Sequence, residues 1–302
     1  MKPSTTPKFP KSSALKFSNT LLCGAFLATL SACGGGLQTP LNTEAQTPTQ
    51  SVDASLPGWT LVWQDEFNTP GLPDSSKWVY DTEYNQRGWW NGELQYYSAN
   101  RLENARVTDG KLLITARQER LTSASDYGNQ NYTSARLMTR GKASWTYGRF
   151  EIRAKLPCTL GTWPAIWMLG TGGEWPQDGE IDIMEQKGFS ITDKRQVLGT
   201  VHTAANNGGN SIGQTTDLPT ACTDFNTYQM TWDADKVVVG VNGVDYFTYN
   251  NQRNGNRAQW PFDRDQYLLL NVAVGGNLGG PVSNANLPAS MEVDYVRVYS
   301  KQ

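Results

Sequence analysis

Past residue 57 the chain lacks any long stripe of apolar residues at helical spacing. It also lacks a second linker, an internal repeat and an apolar run long enough to cross a bilayer. A helical bundle and a helix that crosses the membrane are therefore not expected in this part of the chain. Cysteine is scarce: of four, Cys23 and Cys33 fall in the N-terminal 33 residues, leaving Cys158 and Cys222 as the only pair further on. Those two can form one disulfide in an oxidising compartment or remain thiols, because spacing alone does not bring two Cα atoms within bonding reach. Basic charge is in short supply as well. Without Lys2, Lys8, Lys11 and Lys16 of the leader, 22 basic residues face 28 acidic ones, a net charge of −6. That balance does not suit a nucleic-acid binder.

The leader itself is informative. Four lysines precede the apolar run Leu21 to Leu30, and Leu30-Ser31-Ala32-Cys33 comes next. The run is too short for a transmembrane helix, and the small residues after it mark an export signal. Leu-Ser-Ala-Cys resembles a bacterial lipobox, which implies a lipoprotein signal peptide over residues 1–32 and lipidation of Cys33. An ordinary signal peptide cut nearby is the alternative. Residues 33–57, rich in Gly, Thr, Pro, Gln and Ser, read as a flexible tether. The expectation is an exported protein, lipid-anchored to the cell envelope, at the outer membrane if the host has one. Residues 58–302 form one folded domain, expected to be a monomer.

Within that domain the period is two. Phe150, Ile152, Ala154 and Leu156 alternate with Arg149, Glu151, Arg153 and Lys155. Similar runs lie at 59–63, 111–117, 133–139, 197–203, 228–232, 236–241, 244–249, 267–274 and 291–299. Asn242-Gly243 between two of them signals a hairpin turn, which needs positive φ at both positions. Many short strands separated by Gly and Asn turns predict an all-β fold, two antiparallel sheets packed as a sandwich or jelly roll.

Chemistry concentrates in GEIDIMEQ, residues 179–186. Side chains alternate along a strand, so Glu180 and Asp182 share a face, whereas regular continuation turns Glu185 to the other. A one-residue bulge at Ile183 or Met184 returns Glu185 to its companions. Three neighbouring carboxyls cannot all ionise cheaply, so one keeps its proton near neutral pH. An ionised nucleophile beside a protonated acid is what a retaining glycosidase uses. An edge strand with solvated acids, or a calcium site, is the competing reading. Interleaved Ile181, Ile183 and Met184 weigh against it, since they imply one buried face.

Trp89, Trp90, Trp163, Trp167 and Trp175 surround this strand. Indole faces are flat platforms for the C–H face of a pyranose. Trp59, Trp145 and Trp232 are assigned to the core, but Trp89 and Trp90 sit side by side in the loop sequence GWWNGE, where binding residues gather.

Taken together, WQDEFN (63–68), NGELQYYS (91–98), TSARLMT (133–139), YGRFEIRAKLP (147–157), GTWPAIWMLG (161–170), WPQDGEIDIMEQ (175–186), VAVGGNLGG (272–280) and VDYVRVY (293–299) resemble glycoside hydrolase family 16. The likeness is to its laminarinase-like bacterial β-1,3-glucanases, in the branch with the extra Met184. It implies a concanavalin A-like jelly roll with an open cleft and an endo-acting, retaining hydrolase of β-1,3-glucan; a family 16 hydrolase or transglycosylase acting on mixed-linkage glucan, agarose or carrageenan, or a non-catalytic glucan-binding module, is the alternative. By the same resemblance Glu180 is the nucleophile, Glu185 the acid/base and Asp182 the assisting carboxylate. Asn91, Arg136, Trp163, Trp167 and His202 become cleft residues. His202, the only histidine, binds sugar hydroxyls or is structural. Arg136 donates to the saccharide or balances the acids. A structural Ca²⁺ at Glu66, Gly110 and Asp294 is also implied, while catalysis needs no cofactor. One departure is Leu278 in GGNLGG, where many such members carry Trp.

Overall fold

The computed structural model describes residues 56–302. The leader, Cys33 and all but the last two residues of the tether lie outside the described residues. The described chain forms seventeen strands. They are β1 (Trp59–Asp65), β2 (Val79–Tyr80), β3 (Gln95–Tyr97), β4 (Ala105–Thr108), β5 (Lys111–Gln118), β6 (Tyr132–Ser134), β7 (Arg136–Met138), β8 (Gly148–Lys155) and β9 (Thr162–Gly170). The series continues with β10 (Glu180–Glu185), β11 (Gln196–His202), β12 (Ile212–Asp217), β13 (Asn226–Trp232), β14 (Lys236–Val241), β15 (Val244–Asn250), β16 (Gln266–Val274) and β17 (Ala289–Lys301).

Two sheets result. The ten-stranded sheet runs β15-β14-β13-β8-β17-β5-β6-β3, with β1 on β17 and β4 on β5. The seven-stranded sheet runs β12-β11-β10-β9-β16-β7-β2. Pairing is antiparallel apart from β3 with β6, a short parallel pair matching Gln95 to Tyr132 and Tyr97 to Ser134. The Asn242-Gly243 turn closes β14 onto β15 with φ of 52° and 80°. The stretch 133–139, expected as one strand, is broken at Ala135: β6 belongs to the large sheet and β7 to the smaller. Strands that change sheet in this way make the corners of a sandwich.

Period-two alternation puts one face of each sheet into a shared core. Phe150, Ile152 and Ala154 of β8 enter it from one side, and Leu268, Leu270, Val272 and Val274 of β16 from the other. Trp232 is buried there and donates its indole N–H to Phe262 O at 3.0 Å. Trp145 packs on the core's edge, and Trp59 is half-buried at the start of β1, outside that cluster. All nine residues of β16 are buried, because its second face is covered too. There Tyr267 and Leu269 join Met138, Val79, Trp167 and Leu169 in a separate small cluster. That outer face of the seven-stranded sheet is where the acids emerge.

Ile181, Ile183 and Met184 of β10 all lie in the main core with no exposed surface. Two consecutive residues, 183 and 184, therefore point inward. Met184→Ala should lower the free energy of unfolding by about 2–5 kcal/mol, the usual penalty for a buried cavity of that size. Urea denaturation measures this, and a variant as stable as the parent would place Met184 outside the core.

Candidate active site

Strand β10 is held between β9 and β11. Along β9 the register matches Glu180 to Leu169 and Asp182 to Trp167, then shifts so that Met184 faces Ile166 and Glu185 faces Ala165. Along β11 Asp182 faces Thr200 and Glu185 faces Leu198. Residues 183 and 184 thus occupy the place of one. Glu185 leaves the strand on the same side as Glu180 and Asp182, and the three carboxyls share one patch of the outer face.

Each acid has a distinct partner. Trp163 donates its indole N–H to Glu185 Oε1 at 2.9 Å, and Trp175 donates to Glu180 Oε2. Asp182, 1% exposed, shares a hydrogen bond with Glu180, and its Oδ2 faces His202 Nε2 at 3.3 Å. The backbone N–H of Gly208 donates to His202 Nδ1 at 3.2 Å. A neutral His202 therefore carries its proton on Nε2, directed at Asp182.

Burial and mutual repulsion dominate the electrostatics. Desolvation, then the charge of Asp182, pushes the Glu180 carboxyl up to about 8, with His202 and the Trp175 N–H acting the other way. Glu185 is pushed up to about 7, by burial first and by Glu180 second, against the pull of the Trp163 N–H. Asp182, the most deeply buried, is raised well above the ordinary range by burial and by Glu185. Glu180 is only partly buried by surface area, so water relieves its desolvation more than that of Asp182. Burial and repulsion together keep protons within the trio near neutral pH, shared between neighbouring carboxyls.

Next to the trio lies a second buried network. Arg136 stacks between two indoles, its guanidinium 5.2 Å from the ring centre of Trp89 and 4.5 Å from that of Trp167. Its Nε lies 3.1 Å from Asp81 Oδ2. Trp167 donates to Asn271 Oδ1 at 2.7 Å, and Asn271 Nδ2 donates to Tyr97 OH at 3.0 Å. Glu93 accepts from Gln95 Nε2 at 2.7 Å and from Tyr97 OH at 3.3 Å. Burial raises Glu93, Arg136 opposes this, and its charge adds to the upward push on Glu185. Glu93, Tyr97, Asp81 and Asn271 were not among the residues expected from sequence. A signal existed for two of them: Glu93 and Tyr97 fall in NGELQYYS. Asn271 is a lone amide in the apolar run of β16, which marks a satisfied buried polar group.

Among the expected platforms, Trp90 and Trp175 are 55% and 51% exposed, with Trp90 against Tyr84 at 4.0 Å and Trp175 6.0 Å from His202. Asn91 is exposed in the turn Trp90–Gly92, with φ of 61°. Trp89 differs from expectation. It is buried, packs edge-on to Tyr97 at 4.7 Å, and donates to Asn85 Oδ1 at 3.0 Å, so it is a wall behind Arg136 and not an open platform. The patch is an open face; a large cavity among the described residues, about 510 Å³, lies elsewhere, against Glu66, Phe67, Leu72 and Lys77.

Two further expectations concern the cysteine pair and calcium. Cys158 and Cys222 are free thiols that neighbour one another, Cys222 Sγ donating to Lys194 O at 3.3 Å. The side chains proposed for calcium are engaged with cations. Glu66 takes both nitrogens of Arg297 at 2.7 and 2.9 Å, Asp294 pairs with Arg153, and Gly110 occupies the β4–β5 turn. Carboxylates neutralised by guanidinium groups do not fit a divalent cation, and no step is derived through one. Among the described residues Glu180, Asp182 and His202 are the one three-residue group with metal-ligand atoms within 4.8 Å. With Nε2 protonated, His202 is a donor there and not a ligand.

A sandwich whose outer face carries clustered carboxyls with shared protons, flanked by exposed indoles, defines a glycoside hydrolase. The sequence description of glycosyl hydrolases family 16 matches residues 93–297, and the chain belongs to that family. It is 50% identical to the beta-glucanase of Rhodothermus marinus over 256 residues, 80% of this chain and 86% of that one. It is 40% identical to glucan endo-1,3-beta-glucosidase A1 of Niallia circulans over 277 residues, 85% of this chain but 39% of the relative. The structure of SCLam, a non-specific endo-β-1,3(4)-glucanase of this family, superposes with a TM-score of 0.79 at 50% identity, over 82% of this chain and 93% of that one.

Carboxyls with raised pKa make stability depend on pH. The folded chain binds more protons than the unfolded one between the ordinary glutamate value of 4.5 and about 7 for Glu185. The stabilisation is complete below that window and is lost as pH rises through it. Glu119 and Glu292, whose pKa values are lowered, act below the window. Chemical denaturation should therefore show declining stability from pH 5 to pH 8. Glu185→Gln should be more stable than the parent at pH 8 by about 3 kcal/mol. A parent equally stable at both pH values would contradict the buried, coupled trio.

Proposed function

We propose that this glycoside hydrolase is an endo-β-1,3-glucanase that cleaves with retention of configuration. The observation that carries the reading is the bulge at 183–184, which brings Glu185 to the face of Glu180 and Asp182. Glu180 and Glu185 face residues four apart on β9, so their Cα atoms are about 13 Å apart at 3.3 Å per residue. Two glutamate side chains reaching towards each other over Asp182 close most of that gap. That reach is compatible with the about 5–5.5 Å separation of retaining carboxyls, shorter than the roughly 6.5–9.5 Å that inversion requires.

In the first step the Glu180 carboxylate attacks the anomeric carbon while Glu185 gives its proton to the glycosidic oxygen. The C–O bond breaks, the aglycone leaves as an alcohol, and an ester links the sugar to Glu180. Esterification removes the Glu180 charge, the second cause of the raised Glu185 pKa. The pKa of Glu185 falls, so after giving up its proton it stays ionised and is available as the general base. It takes a proton from water, the hydroxide oxygen attacks the anomeric carbon, and Glu180 is released. Asp182 keeps Glu180 oriented through their hydrogen bond.

An open face flanked by Trp90 and Trp175 admits a polymer along its length, which supports internal cleavage. The β-1,3 linkage is supported by the names of the relatives. Arg136, Trp163, Trp167 and His202 line or support the sugar path in this reading. The protein is taken to be exported and tethered through a lipid on Cys33, on the strength of Leu30-Ser31-Ala32-Cys33 and the polar tether after it.

Reducing-end release from laminarin, lichenan, agarose and carrageenan tests the substrate, and proton NMR of the first-formed anomer tests retention. Laminarin should be cleaved to oligosaccharides of initial β configuration. Glu180→Gln and Glu185→Gln should each lose at least about 10²–10⁴-fold in kcat. Binding of laminarin without reducing-end release, or a first-formed α anomer, would refute the proposal.

A further inference from the structure

Lys194 lies in the turn Asp193–Arg195 between β10 and β11, and only 2% of its surface is exposed. A buried lysine normally has a carboxylate beside it. Here the three ammonium hydrogens meet three neutral acceptors: Thr162 O at 2.8 Å, Thr162 Oγ1 at 3.0 Å and Gln186 Oε1 at 3.1 Å. Gln186 returns the contact, donating from Nε2 to Lys194 O at 3.0 Å. Both Thr162 and Gln186 are themselves fully buried. Burial pulls the ammonium down to about 8, so it is still a cation at neutral pH.

The residues it grips are the chain neighbours of the acid/base pair. Thr162 precedes Trp163, which donates to Glu185, and Gln186 comes directly after Glu185. Strand β10 has ended by Gln186, and one backbone bond, Gln186 N–H to Pro164 O at 3.2 Å, still ties it to β9. Just after the bulge the ladder pairs Glu185 with Ala165 and Leu198 and then stops, so the backbone that follows Glu185 needs another hold. A cation with no carboxylate in hydrogen-bond contact is expensive to bury, and its three contacts go to the residue before Trp163 and the residue after Glu185.

We infer that Lys194 is a positioning residue for proton transfer: it clamps the start of β9 to the end of β10 and thereby fixes the Glu185 carboxyl against Trp163. The inference rests on the acid/base role proposed for Glu185. It makes Lys194 important where the leaving group needs a proton and unimportant where it does not.

Two substrates separate these cases. Laminarin needs a proton on its departing oxygen, whereas 2,4-dinitrophenyl β-laminaribioside has a leaving group that departs without one. For Lys194→Met, kcat/KM on laminarin should fall on the order of 10–100-fold, the scale of a displaced catalytic group, with KM within about twofold. On the dinitrophenyl glycoside kcat/KM should stay within about threefold of the parent. Thr162→Val, which removes one acceptor and keeps the shape, should show a smaller split of the same kind and serves if Lys194→Met does not fold. Equal losses on both substrates, or none on either, in whichever variant folds would overturn the role of Lys194. Glu185→Gln is the control. If it shows the split and the lysine variant does not, the lysine inference alone fails; if Glu185→Gln loses both activities equally, the acid/base assignment fails and the lysine role with it.

Discussion

Everything chemical in this molecule depends on two residues of β10 sharing one place in the register. A regular strand would alternate Glu180 out, Ile181 in, Asp182 out, Ile183 in, Met184 out and Glu185 in. That arrangement would bury a carboxylate in the core and expose a methionine. The hydrophobic effect and the desolvation of a charge oppose it together, and both favour the bulge that sends Ile183 and Met184 inward. The apolar pattern thus selects the geometry that gathers the acids. Packing and catalysis are satisfied by the same irregularity.

Gathering three acids under low exposure is unfavourable in itself, and the surroundings temper it unevenly. Indole N–H groups reach Glu180 and Glu185, while Asp182 has the imidazole of His202, whose tautomer is set by a backbone N–H of Gly208. The two indoles are neutral donors, so they orient Glu180 and Glu185 without forcing all the carboxyls to ionise. Cationic Arg136 is kept one network away, stacked between Trp89 and Trp167 and faced by Asp81. A guanidinium placed directly on the trio would hold the acids ionised and remove the proton that the first step needs. Separating the two networks lets the trio keep a proton while Arg136 stays paired with Asp81.

Much of the fold was legible in sequence because half-buried strands advertise themselves. β8 alternates without a break, and the Asn242-Gly243 turn has the backbone geometry its residues favour. Strands hidden from that test went unnoticed. β9 is buried on nearly every residue and contains Pro164, so it shows no alternation; β12 is an exposed edge of Gly, Gln and Thr with no apolar face. In the site, the three acids share one face, Trp163 and Trp175 donate to Glu185 and Glu180, and Trp167 pairs across from Asp182. Trp89 did not stand free beside Trp90, since adjacent side chains on a turn diverge and one of them found the wall behind Arg136. Asp81 was invisible because it acquires meaning only from Arg136, a partner far along the chain.

By itself the sequence determined the features that periodicity and local chemistry dictate: strand content, the face carried by each strand, the family, and three acids whose spacing demands a bulge. Only the tertiary structure decided which groups meet across strands. It assigned Glu66 and Asp294 to arginines, left Cys158 and Cys222 as thiols, and set Lys194 under the acid/base pair. Period-two patterning reports which side a residue faces, but a carboxylate reads the same in sequence whether an arginine, a proton or a metal neutralises it. The choice among these is made by long-range pairing, which no local pattern encodes.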